Sequence, residues 1–191
     1  MDTKKEGTIY MVRHGAALNE KGAMGGWSEI PLAKQGKSQA EEAAEKLPDN
    51  LDGIITSDLE RALETAEIIS RIKKIPIIRK MPALRSWNIG PFTQHNPEKV
   101  EPILDKLANQ EPNMSVPGGE SFNHYKDRVI EAFEYIKSKY PDKKLAVVTH
   151  SHGFRVMRAW EREGMPKNMK IDMKEYNTRA TETGGVEKLK I

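Results

Sequence analysis

Short apolar runs alternate along the chain with stretches in which apolar residues recur every three or four positions. Thr8-Ile9-Tyr10-Met11-Val12 is a run of the first kind and predicts a buried strand over 8–12. Asp52-Gly53-Ile54-Ile55-Thr56-Ser57, residues 75–78 and residues 144–149 predict three more. Between them lie helical spacings. Ala40, Ala43, Ala44 and Leu47 fall on one side of a helix over 35–47, and Leu59, Ala62, Ala66 and Ile69 on one side of a helix over 58–72. Phe122, Val129, Phe133 and Ile136 mark a long helix over 121–140. Shorter helices are expected near 98–109 and over 153–163, the latter stopped by Gly164-Met165-Pro166. Residues 173–178 and 186–189 predict two late strands joined across Gly184-Gly185. Strands alternating with helices give an α/β fold: a three-layer α/β/α sandwich whose central sheet is mostly parallel, with helices on both faces. No repeat or linker divides the chain, so residues 1–191 form a single domain, with 1–7 expected to be flexible.

Composition narrows the function classes. Charged residues make up 31% of the chain, but 31 Lys+Arg against 28 Asp+Glu is too even a balance to argue for nucleic acid as a partner. The absence of cysteine excludes disulfides, thiolate metal sites and cysteine nucleophiles. No segment approaches the ~18 apolar residues of a membrane span, and residues 1–7 lack an apolar signal core. The expectation is a cytoplasmic protein with no membrane partner and an oligomeric state left open.

Two strands end in histidine. Arg13-His14-Gly15 follows the first strand and Thr149-His150 closes the fourth. In an open α/β sheet, strand ends of this kind open into the crevice where ligands bind. A guanidinium forks onto phosphate oxygens and stays charged at any working pH. Arg13 beside His14 therefore points to phosphoryl transfer through a histidine nucleophile. Gly15 removes a side chain that would crowd an approaching ligand. Arg61, one turn into the helix after the second strand, is placed on the same rim, although a surface pair with Asp58 or Glu64 is the plainer alternative. A helix follows His150 at once, and its N-terminal amides suit an anion. His152, two residues on, competes with His150 for a functional role. His95 and His124 have the surroundings of exposed polar residues.

Arg13-His14-Gly15, Leu32…Gly36…Gln39-Ala40, Ser57-Asp58-Leu59…Arg61-Ala62…Thr65-Ala66, Gly118-Gly119-Glu120-Ser121 and Thr149-His150 occur in this order. On these blocks the chain resembles the histidine phosphatase superfamily, also called the phosphoglycerate mutase-like family, over about residues 8–189. The resemblance implies a metal-independent phosphatase of phosphomonoesters or related phosphorylated small molecules, with no cofactor. His14 would be the nucleophile and become phosphorylated. Arg13, Arg61 and His150 would surround the phosphoryl group, and water would release phosphate. Asn19, Gly15, Ser151 and His152 would contact substrate.

Three positions depart from the family pattern. Ala16-Ala17-Leu18-Asn19 lacks the usual hydroxyl and brings Asn19 one residue early. Ser151-His152 replaces the glycine that often follows the second histidine. Ser86, in Leu84-Arg85-Ser86, stands where many members carry a catalytic glutamate. A serine hydroxyl is too weak an acid to protonate a leaving group near neutral pH. Either another group donates the proton, with Glu120, Asp58, Glu20 and His152 as candidates, or the natural leaving group needs little help. The missing glutamate also motivates a catalytically impaired phosphate-binding protein. A phosphoglycerate mutase-type phosphotransferase is a further alternative, although such mutases retain the glutamate.

Overall fold

Strand β4, Lys144–Thr149, runs through the middle of the sheet with every residue after Lys144 buried. The computed structural model describes residues 7–19, 22–164, 176 and 181–189. In it β4 is flanked on one side by β1 (Thr8–Arg13) and on the other by β2 (Gly53–Thr56). β3 (Ile77–Lys80) adds outside β2, and β5 (Val186–Leu189) outside β1. The order β3-β2-β4-β1-β5 is parallel throughout except for β5, which runs antiparallel to β1. Being covered on both faces explains why β2 and β4 read as continuous apolar runs.

Alternate residues of β4 serve opposite layers. Leu145 and Val147 join Ile9, Met11 and Ile55 under the helices α4 (Phe122–Lys139) and α5 (Ser151–Arg162), with α3 (Pro97–Gln110) on the same side. Ala146 and Val148 join Val12 and Ile54 under α1 (Lys34–Lys46) and α2 (Glu60–Lys73). The second layer is built from Ala43, Ala44, Ala62 and Ala66, small side chains that let α1 and α2 approach the sheet closely.

The register between β1 and β4 fixes the site. Thr8 pairs with Lys144, and the strands stay in step to Arg13 beside Thr149. The next residues are His14 and His150, so the two histidines leave neighbouring strands side by side. The N–H of His14 donates to the Thr149 carbonyl at 3.1 Å. β2 brings Ser57 to the same edge, its N–H donating to Val148 at 2.9 Å.

Several expectations need correction. The third strand lies two residues later than 75–78, and α5 begins at Ser151 rather than 153 because His150 takes the extended N-cap position and its carbonyl accepts from Phe154. α3 continues through Pro102. The last strand follows Gly184-Gly185 over Val186–Leu189, as expected. It pairs with β1, and the glycines close on the strand end, with Gly184 N–H donating to Arg13 and Arg13 N–H to Gly185. The strand expected over 173–178 lies outside the described residues apart from Tyr176, which is buried, and most of the 1–7 segment lies outside them too. No helix among the described residues is long and apolar enough to cross a membrane.

Candidate active site

The ends of β1, β2 and β4 open into a cavity of about 350 Å³. Arg13, His14, Arg61, His150, Ser151 and His152 all line it, as does Asn19 from the loop after β1. The structure therefore brings together the expected nucleophile, the three residues expected to surround a phosphoryl group and three of the four expected to contact substrate.

His14 is oriented by its own neighbour. Its Nδ1 lies 2.7 Å from the Gly15 carbonyl, which accepts only, so Nδ1 carries the proton. Nε2 is then a bare lone pair, and it accepts from Arg61 Nε at 3.3 Å. Burial first, and then the Arg61 charge, holds the imidazole pKa well below 6.5, so the ring is neutral at physiological pH.

Arg61 is only 3% exposed. Its other two nitrogens donate to the Ser28 carbonyl at 3.0 Å and the Gly26 carbonyl at 2.8 Å, fixing the guanidinium from the loop above. Neither acid suspected as its surface partner holds it. Asp58 forms a two-pronged pair with Arg85 at 2.8 and 2.7 Å, and Glu64 accepts from the Leu32 N–H at 2.7 Å. Burial pulls the Arg61 pKa down to about 10, which leaves it charged.

His150 is 2% exposed, with its ring centroid 4.9 Å from that of His14. Its Nε2 lies 2.9 Å from the Ser57 hydroxyl, and its buried Nδ1 has no hydrogen-bond partner. Burial and the nearby Arg61 hold it neutral as well. Arg13 donates through Nη1 to the Thr181 carbonyl, while its buried Nε is unpartnered. Asn19 donates through Nδ2 to Ala23, leaving a buried amide oxygen unpartnered.

Two expected roles change. Gly15 does not line the cavity; a Cβ there would lie 2.1 Å from the Gly36 carbonyl, so its missing side chain admits helix α1 rather than a ligand. Glu120 is also outside the cavity. Both its oxygens accept from Arg128, one also from the Asn88 N–H at 2.9 Å, and His124 approaches the other at 3.1 Å. It stitches the 85–88 segment to α4 and does not reach the reacting atoms. Arg128 in turn donates to the Ser86 carbonyl at 2.7 Å, as does Trp27 at 2.7 Å, so the backbone at Ser86 is held at the cavity wall. His152 faces the cavity but burial, followed by the charges of Arg155 and Arg13, pulls its pKa down to about 3, so it has no proton to give near neutrality. Glu20 lies outside the described residues.

Sequence reasoning missed two charged lining residues. Arg155 shares one face of α5 with Ser151 and His152, at spacings of four and three, and that periodicity was the available signal. Glu101 comes from the middle of α3, far from any strand end. With Arg155 included, three guanidinium groups face one carboxylate around the cavity, a balance suited to a dianionic ligand.

Residues 9–184 match the model of the histidine phosphatase superfamily, branch 1. The chain belongs to this family. Among histidine phosphatase relatives, a metal-independent phosphoserine phosphatase of Arabidopsis thaliana is 30% identical over 157 residues, 78% of this chain and 66% of the relative. A probable phosphoglycerate mutase, GpmB, of Photorhabdus laumondii is 30% identical over 148 residues, 74% of this chain and 68% of the relative. The chain thus spans about two thirds of the length of these relatives. Among solved histidine phosphatase-like structures, Bacillus stearothermophilus YhfR superposes with a TM-score of 0.80 at 26% identity, covering 97% of this chain and 91% of that one.

Proposed function

We propose that the protein is a metal-independent phosphatase that hydrolyses a phosphomonoester of a small cytoplasmic metabolite through a phosphohistidine on His14. The observation that carries this reading is the His14 ring: Nδ1–H is engaged by the Gly15 carbonyl, and the Nε2 lone pair faces the cavity beside Arg61. Nε2 attacks phosphorus, the ester P–O bond breaks, and the leaving oxygen departs with the bond's electron pair and takes its proton from solvent. Water then attacks the phosphohistidine, releasing phosphate and restoring the neutral ring. Arg13, Arg61 and Arg155 meet the charge on the equatorial oxygens, the positioning and electrostatic work that phosphoryl transfer chiefly demands. His150, fixed by Ser57, is placed to contact the same oxygens.

The test is chemical trapping. With p-nitrophenyl phosphate, quenching into alkali yields a base-stable, acid-labile phosphoryl group on the wild-type chain and none on His14→Ala. Phosphate release that survives His14→Ala overturns the reading.

The relative named as a probable phosphoglycerate mutase favours one alternative, transfer of the phosphoryl group to a second substrate oxygen. Incubation with 3-phosphoglycerate and a bisphosphoglycerate primer separates the two. Isomerisation faster than phosphate release establishes the mutase. A catalytically impaired binder, motivated by Ser86, predicts tight phosphate binding with no trapped intermediate.

A further inference from the structure

A second cavity, of about 210 Å³, adjoins the first and shares Glu101, His152 and Arg155 with it. Its remaining wall includes Asp105, one helical turn beyond Glu101 on α3, and the rings of Trp87 and Tyr176. The volume accommodates a small organic group, at about 30 Å³ for each displaced water.

The polar groups here are not paired with one another. Neither Glu101 nor Asp105 forms an ion pair or a side-chain hydrogen bond among the described residues, although Arg155 lines the same space. The Arg155 Nε and the Tyr176 hydroxyl are buried without a hydrogen-bond partner, and Tyr176 is 1% exposed. Arg155 stands 5.6 Å over the Tyr176 ring, and His152 packs 6.0 Å from Trp87 and 6.2 Å from Tyr176. Glu101 is exposed and Asp105 half-buried, so the buried groups left without a partner are Arg155 Nε and the Tyr176 hydroxyl; such groups are ordinarily satisfied in native proteins, and these two call for a ligand.

Charge indicates which ligand. His152 is neutral, so two carboxylates face one guanidinium and the second cavity is net negative, whereas the first is net positive. The pair of cavities matches a molecule that is anionic at one end and cationic at the other.

We propose that the second cavity receives the alcohol portion of the substrate and that this portion carries an ammonium group, so that the substrates are phosphomonoesters of small amino alcohols. The phosphate lies against His14 and the ammonium against Asp105 and Glu101, with the carbon chain passing Arg155. The assignment rests on the phosphatase reading above and adds the substrate class.

The experiment uses p-nitrophenyl phosphate hydrolysis by the full chain as reporter and measures competition by phosphoethanolamine, ethyl phosphate and phosphoglycolate. These share the phosphate and differ in a cationic, neutral or anionic tail. Phosphoethanolamine is expected to inhibit about tenfold more tightly than ethyl phosphate, the effect of one charge-assisted hydrogen bond at a partly exposed site, and phosphoglycolate more weakly than either. Asp105→Asn, which lines only the second cavity, removes most of the ammonium advantage, read as the ratio of the phosphoethanolamine and ethyl phosphate inhibition constants within each protein. Equal inhibition by the three esters, or tightest inhibition by phosphoglycolate, overturns the assignment on the wild-type protein alone. Absence of His14-dependent p-nitrophenyl phosphate hydrolysis overturns the phosphatase reading instead.

Discussion

Arg61 Nε stands 3.3 Å from His14 Nε2, on the edge of the ring from which the proposed attack on phosphorus would come. The guanidinium both lowers the basicity of the imidazole and waits where an equatorial phosphoryl oxygen would arrive. Replacing Arg61 by Leu is therefore expected to lower kcat for p-nitrophenyl phosphate by about 10²–10³-fold, as for loss of one preorganised donor. The same change removes a positive neighbour, so the His14 pKa rises toward 6.5. Imidazole ¹⁵N chemical shifts followed against pH check the second effect. An unmoved His14 titration would mean that burial alone sets its charge state.

Stability should fall in mild acid. His14, His150 and His152 all have depressed pKa values in the folded protein. Below about pH 6.5 the unfolded chain takes up protons that the native chain refuses, so stability present above pH 6.5 is lost as pH falls. Each such histidine contributes up to about 1.4 kcal/mol per pH unit below that point. Urea midpoints at pH 7.5, 6.5 and 5.5 should be level over the first interval and drop over the second, with a shallower drop in His152→Phe. Constant midpoints down to pH 5.5 would contradict the buried, neutral state of these rings.

Ser86 lines the cavity with its carbonyl anchored by Trp27 and Arg128, so a longer side chain there starts from a fixed backbone. The wild-type protein is expected to hydrolyse aryl phosphates, whose leaving groups need little protonation, far faster than alkyl phosphates. Ser86→Glu should raise the alkyl rate selectively, by about 10²-fold if the carboxyl reaches the leaving oxygen. Rates for ethyl phosphate and p-nitrophenyl phosphate in the two proteins give the answer. Similar rates on both esters in the wild type would point to an acid supplied from elsewhere in the cavity.

Glu120 tests whether burial of a carboxylate signifies catalysis here. It is 7% exposed and bound on both oxygens by Arg128. Glu120→Gln leaves the Arg128 charge without its partner and is expected to cost about 3 kcal/mol of folding stability. Activity per folded molecule should be retained. Chemical denaturation paired with active-site titration separates the two, and a stable but inactive variant would return Glu120 to the chemistry.

The elements with the strongest physical constraint were the most legible. β4 has sheet neighbours on both sides and helices on both faces, and the apolar run at 144–149 gives its limits without error. β3 is an edge strand with Ile78, Arg79 and Lys80 exposed, so burial leaves no imprint on its sequence and the apolar 75–78 run misplaces it. Arg13, His14, Arg61 and His150 were legible because each adjoins a strand end, where topology alone predicts a crevice. Glu101 and Asp105 were not, because they depend on how α3 is carried across the mouth by the irregular 81–96 segment. The role expected for Gly15 failed for a related reason: its close neighbour is the Gly36 backbone, 21 positions along the chain.

The matched register of β1 and β4 constrains how this protein can change over generations. Loss or gain of one residue inside either strand would turn every following side chain to the opposite face of the sheet. Arg13 and His14 would then exchange places relative to Thr149 and His150. The loop between His14 and Leu32 is held at the Ala17–Leu32 bridge and through the Gly26 and Ser28 carbonyls on Arg61, so its length can drift only outside those contacts as substrates change. A descendant of this chain has to preserve the lengths of two strands as strictly as the identity of two histidines.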